Sequence, residues 1–398
     1  MRLLFLCNKL PYPPKEGGSM AMNMIIEGAI EAGHKVKVLA VSSYKNPYIP
    51  SKIPDSYKAK TRLEAVEVDL KPKVFPALYC FFLRKSYHVH RFISEEFDQK
   101  LIEILKAEEF DIVQIETVYL TPYLKTVQKH SGAKVFLRAH NIEHLIWQRL
   151  AENTKNPFKK LYLDHLSIQL KNYEIDHLEK YDGIVCISKV DEKYYSNFTN
   201  KQFITASFGV NPQAYQPTGI AKVETSIFFI GALNWMPNAE GLQWFLKNSW
   251  PDIKELFPKL NFYIASKDIP KWVKDFRSKQ IHWVGEVDDA KAFISSGSVM
   301  VVPLLSGSGI RIKIIEGMAL GKAVLTTSIG AEGIEFEDGK NILIANTKEE
   351  FVNQIKTCLN QPNLVKEIGV NARKTIAANH DCEKIMEELL SFYHKTIQ

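Results

Sequence analysis

The sequence predicts an α/β chain built as two doubly wound, parallel-sheet domains. Three observations predict it. The 398 residues exceed what one hydrophobic core usually serves. Short β-branched apolar runs alternate with helical patterns, as in a parallel sheet covered on both faces. The alternation halts at SFGVNPQAYQPTG (207–219), a stretch with two glycines and two prolines, and then begins again.

In the first half, strands are expected at 3–7, 35–41, 63–69, 111–116, 134–139 and 183–188, with helices at 19–32, 93–108 and 143–180. In the second, strands fall at 226–231, 260–265, 281–285, 298–303, 323–327 and 341–345, with helices at 238–250, 310–320, 347–360 and 362–379. The domains are therefore 1–208 and 209–380, hinged near 208–212, with a final helix within 381–398 packing back on the first. Ligands of such sheets sit at the carboxyl ends of the strands, near the topological switch point. Two facing domains would set those ends across one deep cleft.

Composition narrows the class. With 45% hydrophobic and 24% charged residues there is apolar material for two cores. A net charge of +6 is too weak to argue for nucleic acid and suits an enzyme that handles phosphate or approaches an anionic surface. The five cysteines are scattered, without a CxxC pair, and read as reduced core thiols of a cytosolic protein. The run LLFLC (3–7) is too short for a signal peptide and suits a buried first strand. No stretch approaches the roughly 20 apolar residues of a spanning helix. The expected location is cytoplasmic, including the inner face of the membrane.

The chemistry concentrates in SVMVVPLLSGSGIRIKIIEGMALG (298–321), read as strand, loop and helix. A helix beginning near Ile310 leaves unpaired N–H groups whose dipole favours an anion. Gly307 and Gly309 permit close approach, and Arg311 and Lys313 add charge-assisted donors. Glu316 could accept a pair of sugar hydroxyls, and would be costly to bury alone. The plain alternative is a capped helix with solvated charges. Apolar positions 310, 312, 314, 315, 318 and 320 leave little solvent-facing surface for it.

Three further stretches carry weaker signals. In PYPPKEGGSMAMNMIIEG (11–28), Gly17 and Gly18 precede Ser19, expected as the N-cap of an amphipathic helix. This is phosphate-loop chemistry without the dinucleotide fingerprint, and a plain loop fits it as well. In RAHNIEH (138–144), His140 and Asn141 follow a strand, with Arg138, Glu143 and His144 as lesser candidates. KVFPALYCFFLRKSYHVHRF (73–92) mixes aromatic and basic residues, as a cleft-lining insertion or a membrane-interface segment would. No nucleophile triad appears, and the eleven histidines show no metal-ligand spacing.

Taken together, PLLSGSGIRIKIIEGMALGKAVLTT (303–327), FIGALNWMPNAEG (229–241), IHWVGEVDD (281–289) and RAHNIEH resemble the retaining family-4 glycosyltransferases (glycosyl transferases group 1), whose two-Rossmann architecture is called GT-B. The resemblance spans essentially the whole chain. The family pattern is Glu, seven residues, Glu, then Ala-Met-Ala-x-Gly, and Glu316 matches its second glutamate.

The resemblance implies roles. Glu316 would hold the ribose of a UDP-sugar or GDP-sugar donor. Gly231, Gly307, Ser308, Gly309 and Ile310 would line its diphosphate and sugar. The backbone at Gly285 and Val287 would read the nucleobase, and Gly17, Gly18 and His140 would face the phosphate, the sugar and the acceptor. Two departures stand out: Ser308 replaces the first glutamate, and GALNWMPNAEG lacks the basic pair that many members carry. Arg311 and Lys313 are expected to take over, from the other side of the phosphates. Lys267 reads as a surface lysine or a further phosphate contact.

The implied activity is sugar transfer with retention to a saccharide or lipid-linked hydroxyl, bound by the first domain. Attack is on the front face, the leaving phosphate taking the acceptor proton. Domain closure about the hinge would complete the site. No cofactor, metal or nucleic acid is expected; for 73–92 a cleft-lining insertion stands first and a peripheral membrane contact is the alternative. The rival readings are a nucleotide-sugar epimerase of the same fold and a non-catalytic nucleotide-sugar-binding protein.

Overall fold

The computed structural model describes all residues except 217–225, 268, 277 and 308. The chain divides into two units, Met1–Phe208 with Cys382–Gln398, and Gly209–Asp381.

The first unit holds a 7-stranded sheet of β1 (Arg2–Cys7), β2 (Lys35–Ser42), β3 (Glu64–Glu67), β4 (Ile112–Glu116), β5 (Lys134–Ala139), β6 (Gly183–Cys186) and β7 (Phe203–Thr205). All neighbours are parallel, in the order β3-β2-β1-β4-β5-β6-β7. Strand direction of travel reverses between β1 and β4, so that crevice is the switch point. Side chains alternate across the sheet. Leu4 and Leu6 of β1 pack with Phe97 and Leu101 of the helix Glu95–Ala107. Leu3 and Phe5 pack with Met22 and Ile25 of the helix Gly17–Glu31 and with Leu389 of the helix Cys382–Ile397. These last two helices meet at Gly28, where a Cβ would lie 2.5 Å from Met386.

The second unit repeats the scheme with β8 (Ser226–Ile230), β9 (Asn261–Ala265), β10 (Ile281–Gly285), β11 (Val299–Val302), β12 (Ala323–Thr326) and β13 (Leu343–Ile344). The order β10-β9-β8-β11-β12-β13 is again parallel throughout and puts the switch point between β8 and β11. Its core joins Ile227, Phe245, Phe262, Val301 and Phe351.

Several expected elements are corrected. The helix expected over 143–180 is two, Glu143–Glu152 and Pro157–His177. The side chain of Asn156 caps the second, accepting from the Lys159 N–H, and Pro157 has no N–H to continue the first. The helix expected over 238–250 runs Met236–Asn248 and is followed by Trp250–Leu256. The strand expected over 341–345 keeps only two residues. Ser19 is no N-cap: the helix begins at Gly17, and the Ser19 hydroxyl donates to the Leu10 carbonyl at 2.9 Å. Residues 217–219 of the expected linker lie outside the described residues.

The helix Met236–Asn248 lies flat on the exit of β11. A Cβ at Gly241 would meet the Pro303 carbonyl oxygen at 2.0 Å, and Ser306 donates to Glu240 at 3.0 Å. Gly241→Ala must therefore lift the helix, at a cost of about 1–3 kcal/mol. The expected outcome is a lower urea midpoint; an unchanged midpoint would show that the contact is slack.

Candidate functional site

In the second unit, the candidate residues gather at the carboxyl ends of β8 and β11. Lys313, in the first turn of the helix Ile312–Ala319, donates to Asn238 Oδ1 at 2.5 Å, and its ammonium lies 4.7 Å from the Phe229 ring centroid. Asn238 is held from the other side by donating to the Ala232 carbonyl at 2.9 Å. Gly231 makes this possible, since a Cβ there would stand 2.8 Å from Lys313 Nζ. Burial, and then the nearby Arg311 charge, push the Lys313 pKa down to about 7. The cation missing from GALNWMPNAEG is thus delivered to that loop by Lys313.

Arg311 is the residue before the helix, only 5% exposed, with its guanidinium 5.9 Å from the Trp235 ring centroid. It donates to the Gly309 carbonyl. Gly307 (φ 116°) and Gly309 (φ 78°) hold backbone angles that side-chain-bearing residues rarely adopt, and a Cβ at Gly307 would sit 3.0 Å from the guanidinium. Gly231 and Gly307 therefore make room for cations of this chain. The helix starts at Ile312, two residues after Ile310, and no side chain caps it.

Glu316 is buried and accepts a hydrogen bond from the Tyr215 hydroxyl at 2.8 Å. Burial raises its pKa, while Tyr215 and the charge of Lys291 oppose the rise. Lys291 lies 4.0 Å from the Tyr215 ring centroid. Gly285 and Val287 lie at the end of edge strand β10, two strands away from β8. A hydrogen-bond path links the strand ends: Leu233 N–H to Ser266 Oγ at 3.1 Å, and Ser266 N–H to the Gly285 carbonyl at 2.8 Å. Lys267 is exposed, and Ser308 lies outside the described residues.

In the first unit, His140 follows β5 and its Nε2 contacts Glu116 Oε2, the end of β4. The fully buried Arg138 donates to the same oxygen at 3.2 Å and to the Ala21 carbonyl of the helix Gly17–Glu31 at 3.2 Å. Arg138, His140 and Gln114 together hold Glu116 below the usual carboxylate range despite its burial. Burial holds His140 below its ordinary value, against the pull of that carboxylate. His140 Nε2 thus faces both the Glu116 carboxylate and, at 3.3 Å, Arg138 Nη1.

Gly18 carries Lys9, whose Cε and Nζ would lie 2.8 and 2.9 Å from a Cβ there, and Lys9 pairs with Glu16 at 3.3 Å. Gly17 and Gly18 are the first two residues of their helix. The Lys9 charge is felt by His140 and by Glu143. Glu143 accepts from Tyr119 at 2.7 Å and Asn141 at 3.1 Å; burial raises its pKa to about 7. His144 is buried against Glu174, which also accepts from Tyr195 at 3.0 Å and from the N–H groups of Glu143 and His144. His144 thus anchors a helix start.

Residues 224–361 match the family model described as Glycosyl transferases group 1. Over that stretch the chain is similar to the glycosyl transferases group 1. Its two Rossmann-like sheets are those of the GT-B fold. A protein of the cps region of Klebsiella pneumoniae is 24% identical over 401 residues, covering 98% of each chain. Sucrose-phosphate synthase from Thermosynechococcus elongatus has the same fold at 16% identity, with a TM-score of 0.73 over 99% of each chain. HepE of Anabaena, solved with UDP, superimposes at 11% identity with a TM-score of 0.66, over 99% of this chain and 100% of its own.

In the second unit, Asn238, Trp235, Tyr215 and Lys291 were not singled out from the sequence, nor were Glu116 and Lys9 in the first unit. Asn238 and Trp235 stood inside GALNWMPNAEG, whose lack of cations was the available signal. Among the described residues no group of three His, Cys, Asp or Glu is placed to hold a metal ion, and no helix is long and apolar enough to cross a membrane.

Lys313 gives a pH test. With its pKa near 7 in the fold against 10.5 ordinarily, the unfolded chain binds the proton more tightly between those values. The stability contribution therefore rises with pH across that window. A diphosphate beside Lys313 would favour the charged form and raise the pKa again. Calorimetry of UDP binding at about pH 8.5, in buffers of different ionisation enthalpy, is expected to show uptake of up to about one proton. Lys313→Met is expected to remove it; uptake unchanged in that variant would exclude Lys313 as its source.

Proposed function

We propose that the protein is a retaining glycosyltransferase that moves a sugar from a nucleoside diphosphate sugar to a hydroxyl acceptor. The observation that carries the reading is the convergence of Lys313, Arg311 and the uncapped helix start at the β8/β11 switch point, chemistry suited to an anion within the residues similar to glycosyl transferases group 1. Uridine is the favoured base, because the similar HepE is solved with UDP and with UDP-glucose.

In this reading the diphosphate lies against Lys313 and Arg311, and Glu316 exchanges the Tyr215 hydroxyl for ribose hydroxyls. The bond from sugar C1 to the β-phosphate oxygen breaks. The acceptor oxygen bonds to C1 on the same face, and its proton passes to the departing phosphate. Two fixed cations stabilise the negative charge that develops there, and no metal is assigned a part. His140 is assigned to the sugar, and the first unit to a saccharide or lipid-linked acceptor. The relative from a cps region supports a role in polysaccharide assembly.

The test is donor turnover. Arg311→Ala with Lys313→Ala is expected to lower transfer by about 10²–10³ or more. His140→Ala is expected to lower kcat more than it raises KM. Activity in EDTA is expected to persist, and the product should keep the donor's anomeric configuration by NMR. A double variant within a few-fold of wild type, or an inverted product, would overturn the reading.

A further inference from the structure

Two helices far apart in sequence pack together on the first unit, and each exposes large apolar side chains. The helix Val74–Phe82 rests on the helix Pro157–His177 through Cys80, Tyr87 and Leu166, with the Phe81 and His165 rings 4.3 Å apart. Cys80 is the buried side of the first helix. At 100° per residue, Phe75, Leu78 and Phe82 share the opposite side. Phe75 is 86% exposed and Phe82 76%. On the second helix, Phe158 and Leu161 are 84% and 71% exposed. Phe158 lies one turn before Tyr162, on the face that receives the first helix further along. Large exposed apolar side chains gathered on two adjoining helices mark an interaction site.

Charge selects the occupant. Residues 70–94 and 153–163 contain no Asp or Glu, whereas Arg84, Lys85, Lys155, Lys159 and Lys160 stand exposed beside the apolar side chains. Aromatic side chains among lysines and arginines fit the headgroup boundary of an anionic leaflet. A second copy of the same patch would bring like charges together, which disfavours self-association.

We propose that this patch is a docking surface for an anionic lipid bilayer. It extends the segment marked by the sequence, 73–92, to a second helix some 80 residues later. The proposal does not depend on the donor reading, because every residue in it belongs to the first unit.

The experiment sediments the full chain with vesicles of phosphatidylcholine, and with vesicles in which half of that lipid is replaced by phosphatidylglycerol. The protein is expected to pellet with the anionic vesicles only, and less as salt is raised. Phe75→Ser, Phe82→Ser and Phe158→Ser combined should weaken binding about tenfold or more. Lys159→Glu with Lys160→Glu should reduce binding to the anionic vesicles. Circular dichroism and the shift in melting temperature with UDP report folding and donor binding separately. A chain that stays in the supernatant with both vesicles overturns the proposal. So does a triple Ser variant that pellets like wild type, or a patch that proves to form a dimer without lipid.

Discussion

A guanidinium and a carboxylate, each with no exposed surface, hold the first unit's strand ends together. Arg138 of β5 meets Glu116 of β4 and reaches the Ala21 carbonyl in the helix Gly17–Glu31. The other Glu116 oxygen accepts from Gln114, and Gln114 in turn accepts from the Tyr393 hydroxyl of the helix Cys382–Ile397. Two strands and two helices are thereby registered on one charge pair. Removing one member of such a pair leaves a buried charge uncompensated, at a cost of about 3–5 kcal/mol. His140 depends on it directly, because both members of the pair contact its Nε2 and so fix its orientation.

A shared device appears in both units. Lys9, Lys313 and Arg311 each lie against a glycine, at Gly18, Gly231 and Gly307. The absent side chain leaves the space that the cation fills. Gly231 directly follows β8 and Gly307 lies in the loop after β11, the two strands flanking the second unit's switch point, while Gly18 opens the helix that follows β1. Positive charge is thus fixed at those points before any ligand arrives. Pre-set charge costs no reorganisation when an anion binds.

The sheets were legible in the sequence because their strands are buried on both faces, and continuous apolar runs such as LLFLC and KVKVLAV follow directly from that. The break at Asn156-Pro157 was also written there, but the helical period on either side concealed it. Ser19 misled because a hydroxyl before an apolar helix usually caps it, whereas this one turns to Leu10. In the site, Arg311, Lys313 and Glu316 could be read because they share one short segment. Tyr215 could not, since its partner Glu316 is 101 residues away. Nor could the seating of Lys313 on Asn238, 75 residues apart. Local pattern names the charged residue, and only folding names its neighbour.

The helix Cys382–Ile397 has a consequence for how the molecule is made. It covers Met22, Ile25 and Gly28 of the first unit, yet a ribosome reaches it only after the whole second unit has been synthesised. A nascent chain therefore carries an uncovered apolar stripe on its first helix throughout that interval, and chaperones have a defined surface to shield. The same delay leaves Gln114 without the Tyr393 hydroxyl, so the polar support beneath His140 is completed only once that late segment docks.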